Sequence, residues 1–584
     1  NLCHAIALLE EAGVSAIDAI ALDGVRDALV KPSRDLIAGF HEGRSNRQVW
    51  NEVAILSASR VLGDDAAITN RLDSDRGLFD LFANGLLDDG TWYEGENYHL
   101  FAHRGLWYGV QLLRALNRPL PDALESRYRA GFVTPFLGVL PDDTLPSRRD
   151  SQYKVSIRQW RFAEWCELGN AHSLQQPKAR VDERLVGTLH RLYNADESLA
   201  LEPQLRHAYS TADAERNEPA GSLSRADLSW RALLMASPEL VAGSAWSPAS
   251  VCLPRQGLAV LRRERGDMYI ALEGGHTGGG HGHPDRLALT LQHKHSRWLE
   301  DPGTGSYVDP SLHWYRSTLA HAAPLIDGAS QDAVPAKLLA FEDRGGAGWI
   351  CKRVENVKPG VNMQRTVVAG EGCVIDLLEW DADREVQIDL PIARNVAGVT
   401  IGRWMDADAR GAGGLEDGFN FLTDVQQSKG QMNEDKLPYF DLDHPLLIQH
   451  LGDPPCVALY TATGDFSLWR AIAPGSPGAE PAHIHWIRAH GTSGRIAGVW
   501  SWSNERPEIS IHGNREFPEF RVGYNQTESV HTRTPEGWHI ALKARHATSS
   551  IDLAYLPTEI GADDNKPSGN SDTDSITVSA SKSV

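Results

Sequence analysis

The sequence predicts an α-helical domain followed by a domain of antiparallel β-sheets. The chain has 584 residues, and a single hydrophobic core rarely serves so many, so two or three domains are expected. The first part has apolar residues at helical spacing, whereas the later part alternates apolar and polar residues with a period of two. The change between the two patterns occurs once, near residues 237–256.

Helical spacing is clearest in two segments, NRQVWNEVAILSASRVLGDD and YHLFAHRGLWYGVQLLRALNRP. Leu100, Trp107 and Leu116 belong to one long helix in the second segment. That helix ends at the stop signal Asn117–Pro119, because proline cannot continue a helix. Several segments of this kind predict a helical domain over residues 1–240.

A linker is expected between the two domains. The stretch SPELVAGSAWSPASVCLPRQG is rich in serine, proline and glycine, and it predicts a linker over residues 241–256. After it, GLAVLRRERGDMYIALEGG has the pattern of a β-hairpin around Arg265–Asp267. In RLALTLQH, the side chains of Leu287, Leu289 and Leu291 alternate onto one face of a strand.

Further strand pairs follow with no helix between them: QRTVVAGEGCVIDLLEW, HIHWIRAHGTSGRIAGVWSW and GWHIALKARHATSSIDLAYLP. Consecutive strands without helical crossovers pair antiparallel. The pattern therefore predicts a large antiparallel β-sandwich over residues 257–557. The remaining residues, 558–584, are polar and contain no aromatic residue, so we expect them to be disordered.

The composition excludes several classes of function. The net charge of −20 argues against a nucleic-acid partner, since a phosphate backbone requires a basic surface. The net charge does not exclude an anionic substrate, because a local cluster of Arg and His can make the electrostatic potential positive within a cleft. No apolar run reaches the roughly 20 residues of a membrane helix. The cysteines lie far apart without a CxxC pair, so isolated buried thiols are expected.

The first residues, NLCHAIALLEEAG, have neither an initiating methionine nor the basic start of a signal peptide. We expect the chain to be trimmed, so that an export signal could already have been removed. A secreted or periplasmic protein is therefore expected, with a cytoplasmic protein as the alternative. The sequence does not predict an oligomeric state.

Three histidines lie within eight residues of a glycine-rich stretch, GGHTGGGHGHPD. Glycine has no side-chain bulk and permits tight turns, so the rings of His276, His281 and His283 can lie close together. His281 and His283 are two residues apart at the predicted start of a strand, so both side chains leave the same face. Packing rarely requires such crowding, and the cluster predicts a site.

A metal ion is the candidate ligand of this site. The strand after His283 turns at His293–Ser296 and returns as WLEDPG, which brings Asp301 back towards His283. His321 follows in LHWYRSTLAHAAPLIDG. Two histidines and one carboxylate, with a fourth position open, suit one divalent ion, Zn²⁺ in particular. The alternative is that these histidines lie at separate strand edges and bind no metal.

The segments HGHPDRLALTL, WLEDPGTGSY and YRSTLAHAAPLIDGASQ follow one another in a recognisable order. They resemble the signature of the heparinase II/III-type polysaccharide lyases: a GHxHxD strand, a D-P/S-G hairpin end, an R-S-T-x-x-H segment and a V/I-D-G turn. In the helical part, SNRQVWNEVA and DGTWYEGENYHLFAH resemble two further elements of this family. The resemblance implies an incomplete (α/α) toroid followed by antiparallel β-sheets.

The resemblance also implies a reaction. Lyases of this family cut the glycosidic bond next to a uronic acid by β-elimination, which leaves an unsaturated uronate. Asn46, with His99, would neutralise the substrate carboxylate, and Arg47 would add a positive charge. Tyr98 would protonate the leaving oxygen, and would also act as the base when proton and leaving group lie on the same side. His281 would be the other base.

The metal ligands implied by the resemblance are His283, Asp301 and His321. The other candidate residues have structural alternatives. Asn46 could cap a helix, and Tyr98 could be a half-buried aromatic residue with a hydrogen-bonded hydroxyl. Glu96, His99 and His103 have the spacing of a second metal site, although an exposed helix face is the expected interpretation.

A basic loop, LPDDTLPSRRDSQYKVSIRQWRFAEW, stands out in an acidic protein. Its cations are Arg148, Arg149, Lys154, Arg158 and Arg161. Guanidinium groups bind carboxylates in bidentate fashion, so Arg148 and Arg149 are expected to contact the glycan; a solvated loop is the alternative. Tyr315 is expected at the same substrate site, while Tyr307 and Arg316 could face the cleft or pack.

The expected partner is an anionic polysaccharide or oligosaccharide that contains uronate. Two other functions stay open. A glycoside hydrolase on the same helical scaffold would use paired carboxylates such as those of Asp142, Asp143 or Glu96. A non-catalytic carbohydrate-binding protein would carry a structural metal in its sheets and would bind sugar without turnover.

Overall fold

The protein is described here by a computed structural model. The described residues are 2–11, 19–175, 180–194, 223–275, 279–394, 398–400, 403–409, 411, 414–429, 446–450, 455–464, 466–502, 508–513, 516–524, 527–544 and 547–556. His276 and the predicted tail, residues 558–584, lie outside them.

The N-terminal part of the chain is helical. Its helices are α1 (Leu2–Glu11), α2 (Ala19–Val25), α3 (Lys31–Ala38), α4 (Asn46–Leu62), α5 (Asp65–Leu72), α6 (Leu78–Asp80), α7 (Glu96–Ala115), α8 (Asp122–Ala130), α9 (Thr134–Leu137), α10 (Trp160–Leu174), α11 (Glu183–Asn194) and α12 (Trp230–Met235). π-Helical turns follow α2 and α6, at Arg26–Val30 and Leu81–Gly85. Apolar faces of the helices from α4 onwards share one core, which includes Leu56, Leu106 and Phe162. Ile6 of α1 packs in a smaller cluster with Val30 and Ala58.

The helices α4 and α7 carry the N-terminal candidate residues. The Ser45 hydroxyl accepts a hydrogen bond from the Gln48 N–H at 3.1 Å, so Ser45, rather than Asn46, is the N-cap of α4. Helix α7 ends at Ala115 with Leu116 as its C-cap, and Asn117 then adopts a φ of 53°. The predicted end of this helix at Asn117–Pro119 is confirmed.

The C-terminal part consists of strands and one further short helix, α13 (Leu312–Tyr315). The strands are β1 (Val251–Leu253), β2 (Leu258–Arg263), β3 (Met268–Glu273), β4 (Leu289–His293), β5 (Ser296–Leu299), β6 (Leu325–Ile326), β7 (Lys337–Asp343), β8 (Gly348–Lys358), β9 (Val361–Ala369), β10 (Cys373–Arg394), β11 (Gly398–Thr400), β12 (Arg403–Asp406), β13 (Thr423–Lys429), β14 (Leu446–His450), β15 (Cys456–Ala462), β16 (Phe466–Ala473), β17 (Ala482–Trp502), β18 (Glu508–Gly513), β19 (Pro518–Tyr524), β20 (Thr527–Thr534), β21 (Gly537–Ala544) and β22 (Ala547–Ala554).

These strands form three antiparallel sheets in the described residues. Strands β1 to β5 form the first sheet and β18 to β22 the third, each in chain order. The large middle sheet has the order β11-β14-β15-β17-β10-β9-β8-β7, with β6 paired to β10 and with β16 leading from β17 to β13 and β12. The long strands β10 and β17 pair antiparallel along most of their length, from Cys373–Ser501 to Arg394–Ile484.

The three sheets are stacked as layers around two cores. Ile350 of β8 packs in the core shared with Ile270 of the first sheet. Its neighbour Trp349 points to the opposite face, because side chains alternate along a strand, and packs in the core shared with Phe520 and Trp538 of the third sheet. The predicted fold class, a helical toroid domain followed by an antiparallel β-sandwich, is confirmed, with a third sheet added to the sandwich.

Four predicted strand pairs are confirmed and one is wrong. Strands β2 and β3 form the hairpin predicted at Arg265, and β4 and β5 pair across the predicted turn at His293–Ser296. Strands β9 and β10 form the pair predicted in QRTVVAGEGCVIDLLEW, and β21 and β22 form the last predicted pair. The segment HIHWIRAHGTSGRIAGVWSW, however, is one continuous strand, β17, rather than a hairpin. Its glycine at Gly491 bends the strand instead of reversing it, opposite an irregularity in β10 between Asp381 and Val386.

The HGHPD segment does not begin a strand, contrary to the prediction. Gly279–His281 is a turn of 3₁₀-helix, and β4 starts only at Leu289. Pro284 has no N–H to give to a sheet, and the N–H of Arg286 donates to the Gln331 side chain at 3.0 Å instead. The histidines therefore lie in a loop that side-chain hydrogen bonds hold in place.

Helix α12 ends at Met235, and β1 begins at Val251, inside the predicted linker at residues 241–256. The domain boundaries stay a prediction. Within the described residues, none of the helices combines the length and apolar character needed to span a membrane. All six cysteines are free thiols and four of them are buried, as predicted.

We predict that buried His531 makes the protein sensitive to acid. Its ring lies in the β-core beside the Ser529 hydroxyl, 3.1 Å from Nε2, and burial lowers its pKa to about 4. The unfolded chain takes up this proton near pH 6.5, so the stability is fully present above pH 6.5 and is lost as pH falls towards 4. The expected loss is about 1.4 kcal/mol per pH unit.

Denaturant unfolding at several pH values measures this loss. His531→Gln should flatten the fall in unfolding free energy between pH 6.5 and 4. His539→Gln, at a partly exposed histidine of the next strand, is the matched control and should leave the slope unchanged. Equal slopes for wild type and His531→Gln would contradict the prediction.

Candidate active site and metal centre

Asp150 lies at the centre of the candidate active site. Its carboxylate accepts hydrogen bonds from His281 Nδ1 at 2.9 Å, His283 Nε2 at 3.0 Å and Arg316 Nε at 3.0 Å. The Tyr307 hydroxyl also donates to it, at 2.9 Å. Burial alone would raise the pKa of Asp150, but these hydrogen bonds outweigh burial and hold that pKa far below its usual range. Asp150 is therefore an ionised, buried anchor.

Tyr98 and His281, here called the candidate reactive pair, lie beside this anchor. Their rings stack with centroids 4.0 Å apart and planes 18° from parallel, and both side chains are half-buried. The Tyr98 hydroxyl lies 2.5 Å from the Tyr307 hydroxyl. Burial raises the pKa of Tyr98, and the hydrogen bond with Tyr307 opposes that rise. Two tyrosines and a carboxylate thus form one hydrogen-bonded chain.

Glu94 fixes the orientation of Asn46. One Glu94 oxygen, Oε2, accepts from the Asn46 N–H at 2.8 Å, from Asn46 Nδ2 at 3.0 Å and from Trp92 Nε1 at 2.6 Å. Because a carboxylate only accepts, the amide nitrogen of Asn46 must be the atom that faces it. The other oxygen of Glu94 lies 3.6 Å from His281 Nε2. Glu94 therefore links the start of α4 to the histidine loop.

A cleft of about 450 Å³ lies beside these residues in the helical domain. Asn46, Arg47 and Tyr98 line it. Gly95 has a φ of 108°, which favours glycine, and it turns the chain into α7 so that Tyr98 is in the first turn of the helix. The structure thus brings Asn46, Tyr98 and His281 together, as the sequence predicts, although their catalytic roles stay predictions.

His99 does not reach the cleft, contrary to the prediction. It is fully buried, where it accepts from the Trp92 N–H at 2.9 Å and donates to the Gly131 carbonyl at 2.8 Å. Burial lowers its pKa to about 4. His103 is buried as well and donates to the Tyr128 carbonyl at 2.8 Å, so neither a second metal site nor an exposed helix face describes these histidines.

Arg148 and Arg149 do not contact the substrate cleft either. Arg148 is buried between Glu96, at 2.6 Å, and Glu273, whose Oε1 lies 3.0 Å from its NH2 group. It therefore joins α7 to β3 across the two parts of the chain. Arg149 is buried and donates to the Tyr93 carbonyl at 2.9 Å. The charges of Arg148 and Arg149 serve the interior, and a solvated loop is equally excluded at these two positions.

The last two predicted substrate residues lie in different settings. Tyr315 is buried, and its hydroxyl donates to the Gly475 carbonyl at 2.9 Å, so it is unavailable to a sugar. Arg47 has 73% of its side chain exposed, lies at the cleft and pairs with Glu42 at 3.0 Å. Substrate binding by Arg47 stays a prediction.

A candidate metal site lies behind His281. Ligand atoms of His283, Asp285 and His321 lie within 4.8 Å of one another, and all three residues are buried. Asp285 thus takes the place predicted for Asp301. Asp301 lies at the edge of the cluster, with Oδ1 3.4 Å from His321 Nδ1, and also accepts from the Gly303 N–H at 2.9 Å.

The donor atoms of this cluster suit a divalent cation. His283 donates through Nε2 to Asp150, and His321 donates through Nε2 to the Tyr315 carbonyl at 3.1 Å, so Nδ1 is the acceptor atom of each ring. Among the described residues, His283 Nδ1 and Asp285 Oδ2 are buried without a hydrogen-bond partner. Burial raises the pKa of Asp285, and a bound cation would favour its ionised form.

Four important residues were not among the predicted site residues. Asp285 belongs to the HGHPD motif itself, and Asp150 directly follows the two arginines of the basic loop, so both were within segments already singled out. Glu94 lies within the DGTWYEGENYHLFAH element, and Tyr307 was predicted only to face the cleft or to pack. Their contacts could not be predicted from local sequence patterns, because Asp150 and the histidines that it binds are more than 130 positions apart.

A comparison with known protein families identifies one domain within the C-terminal part of the chain. Residues 247–433 match the family Heparinase II/III-like, C-terminal, which includes the histidine loop, Tyr307 and the metal cluster. No curated protein matches the chain in a sequence comparison. Residues 247–433 therefore carry a heparinase II/III-like C-terminal domain, and the resemblance predicted from the sequence is confirmed.

Solved structures show the same fold. Heparinase III is 12% identical with a TM-score of 0.54, over 90% of this chain and 70% of that chain. A mutant of heparan sulfate lyase HepC from Pedobacter heparinus is 12% identical with a TM-score of 0.52, over 91% of this chain and 69% of that chain. At these identities the likeness concerns the fold.

The buried position of Arg148 gives a prediction about stability. Arg148→Met should lower the free energy of unfolding by about 3–5 kcal/mol, because Glu96 and Glu273 would be left as buried, unpaired charges. Thermal and denaturant unfolding measure the change. Arg60→Met, at an exposed position on α4, is the control and should unfold like wild type. A variant of normal stability that binds substrate poorly would restore the substrate-contact role.

Proposed function

We propose that the protein cleaves polysaccharides next to uronate residues by β-elimination and releases unsaturated uronate products. The observation that carries this proposal is the placement of Asn46, Tyr98 and His281 beside one cleft. These residues supply what the reaction needs: a donor for the substrate carboxylate, a phenol for the leaving oxygen and an imidazole for the C5 proton.

Neutralising the substrate carboxylate is the first requirement, since the C5 proton is otherwise only weakly acidic. Glu94 binds one N–H of the Asn46 amide, and the amide has a second N–H to donate. Because Asn46 is at the N-terminus of α4, the positive end of the helix dipole supports the same negative charge. Asn46 in this role stabilises the enolate-like intermediate.

Tyr98 acts as the general acid. Tyr307 donates to Asp150 and therefore accepts from Tyr98 in the resting arrangement. When Tyr98 gives its proton to the leaving oxygen, the Tyr307 O–H can turn and donate to the new phenolate. The negative charge of the phenolate is then stabilised by a hydrogen bond. This hydrogen bond compensates for the burial that raises the pKa of Tyr98.

His281 acts as the base for substrates whose C5 proton lies on its side of the ring. The ionised Asp150 accepts from Nδ1 and so fixes the tautomer in which Nε2 accepts a proton. Arg316 pairs with the same carboxylate and keeps it ionised. Tyr98 is the base when proton and leaving group lie on the same side.

A zinc ion at His283, Asp285 and His321 has a structural role in this proposal. When bound, the ion supplies a fixed positive charge and a cross-link between the histidine loop and the segment that follows α13. His283 links this centre to the candidate reactive pair, because its other ring nitrogen binds Asp150, the carboxylate that also holds His281. The residues themselves perform the proton transfers.

The hydrolase alternative finds little support in the carboxylates named for it. Glu96 pairs with Arg148, Asp142 pairs with Arg297 at 2.8 Å, and Asp143 pairs with Arg191. A hydrolase needs one carboxyl group free to donate a proton to the glycosidic oxygen. A non-catalytic protein would bind sugar and release no product. Ultraviolet absorbance of the unsaturated uronate therefore distinguishes the proposed lyase from both alternatives.

Tyr98→Phe tests the proposed acid. It retains the ring that stacks on His281 but removes the hydroxyl, so turnover on uronate polysaccharides should fall roughly 10²–10⁴-fold. Product formation is followed by ultraviolet absorbance. Tyr193→Phe removes a hydroxyl that binds Glu167 outside the cleft, and should keep wild-type activity. Near wild-type release of unsaturated product by Tyr98→Phe would exclude Tyr98 as the essential acid.

Elemental analysis tests the metal centre. Wild type should contain about one zinc per chain, and a chelator should lower its melting temperature. His283→Ala should contain no zinc, and the chelator should not lower its melting temperature further. His539→Ala, at a histidine remote from the cluster, should retain the zinc. A wild-type protein that contains no metal, and whose melting temperature does not change with chelator, would contradict the proposed zinc site.

A further inference from the structure

The cleft extends along α7 beyond the proposed reacting group. Asn97, Tyr98, Phe101 and Arg104 line it from that helix, at the spacing of one helical face. Arg104 is six residues from Tyr98, which places it about 9 Å further along the helix axis. This distance exceeds the size of one sugar ring, so Arg104 faces the region of a neighbouring sugar rather than the cleaved bond.

Arg104 has no counter-ion of its own. It is half-buried, and it makes no hydrogen bond or ion pair with any residue in the described part of the chain. The nearby acid, Glu164, is already engaged by Arg231 at 3.1 Å and by the Ser229 N–H at 2.8 Å. Burial lowers the pKa of Arg104, and the positive charges of Arg231 and Arg161 lower it further. An anion beside Arg104 would remove this cost.

The rest of the cleft wall adds a second arginine and no free acid. Arg161, in the first turn of α10, lines the cleft. Among the described residues that line the cleft, Glu96 is the only acid, and it pairs with Arg148 at 2.6 Å. No acidic side chain of the described cleft lining is therefore left to pair with Arg104.

An aromatic side chain lies between the two ends of the cleft. Phe101 is 48% exposed although it is large and apolar. Its ring is supported by Trp50, with centroids 5.3 Å apart. An exposed, supported ring beside polar groups provides an apolar surface for the face of a sugar ring.

We propose that Phe101, Arg104 and Arg161 form a second anion subsite, which binds the carboxylate or sulfate of a sugar near the cleaved bond. The subsite rests on the proposed function and deepens it, because it selects acidic glycans with closely spaced charges. A guanidinium binds either oxyanion through paired N–H groups. The neighbouring sugar stacks on Phe101.

Kinetics of Arg104→Gln test the subsite. Three substrates distinguish the anion: a homopolymer of uronate, an unsulfated glycosaminoglycan with uronate in every second position, and a sulfated glycosaminoglycan. KM should rise about tenfold or more with little change in kcat, because the contact is remote from the bond that breaks. A rise on the unsulfated substrates identifies a carboxylate, and a rise on the sulfated substrate alone identifies a sulfate. Unchanged KM on every substrate would overturn the subsite.

Equilibrium binding separates this proposal from the proposed function. An acidic oligosaccharide is titrated into Tyr98→Phe and into a double variant that combines Tyr98→Phe with Arg104→Gln. A second double variant, Tyr98→Phe with Arg60→Gln, is the charge-matched control. About tenfold weaker binding with Arg104→Gln alone supports the subsite, even if wild type releases no unsaturated product and the lyase proposal fails. Product release by wild type together with equal binding by all variants would refute the subsite and leave the lyase proposal intact.

Discussion

The candidate site depends on one buried carboxylate, that of Asp150. It accepts hydrogen bonds from His281, His283, Arg316 and Tyr307, which come from the histidine loop and from the segment around α13. A buried carboxylate is costly unless such partners compensate for its lost hydration. The same compensation fixes the tautomer of both histidines. The candidate reactive pair and the metal cluster therefore share one anchor, although Asp150 belongs to neither.

Arg148 and Arg149, the two residues before Asp150, complete this junction. All three consecutive charged side chains are buried, and they point to different partners: Arg148 to Glu273 of β3, Arg149 to the Tyr93 carbonyl, and Asp150 to the histidine loop. Charged residues are seldom buried without partners. The tripeptide thus joins the helical and the β-sheet parts at the point where His281 stacks on Tyr98.

Local patterns in the sequence predicted the periodicity of the elements, including the stop of α7 and the hairpin at Arg265. They also brought Asn46, Tyr98 and His281 together through a family resemblance. Burial was not predictable in this way. His99 looks like a site residue by its neighbour Tyr98, yet the helix turns its ring into the core. Likewise, the cluster with His283 and His321 contains Asp285 rather than the predicted Asp301, and the spacing of residues along the chain does not show which carboxylate lies nearer to both histidines.

The distribution of charge bears on the proposed binding of an acidic glycan by an acidic protein. The net charge of −20 repels a polyanion at long range, and salt weakens that repulsion over about a Debye length. Within the cleft the sign is reversed, because Arg148 neutralises Glu96 while Arg104 is left without an acid. For the proposed glycan, attraction would therefore act only at short range, after the glycan has entered. The proposed subsite would favour ligands whose negative charges match the positions of Asn46 and Arg104, and it would disfavour polyanions that are held by charge alone.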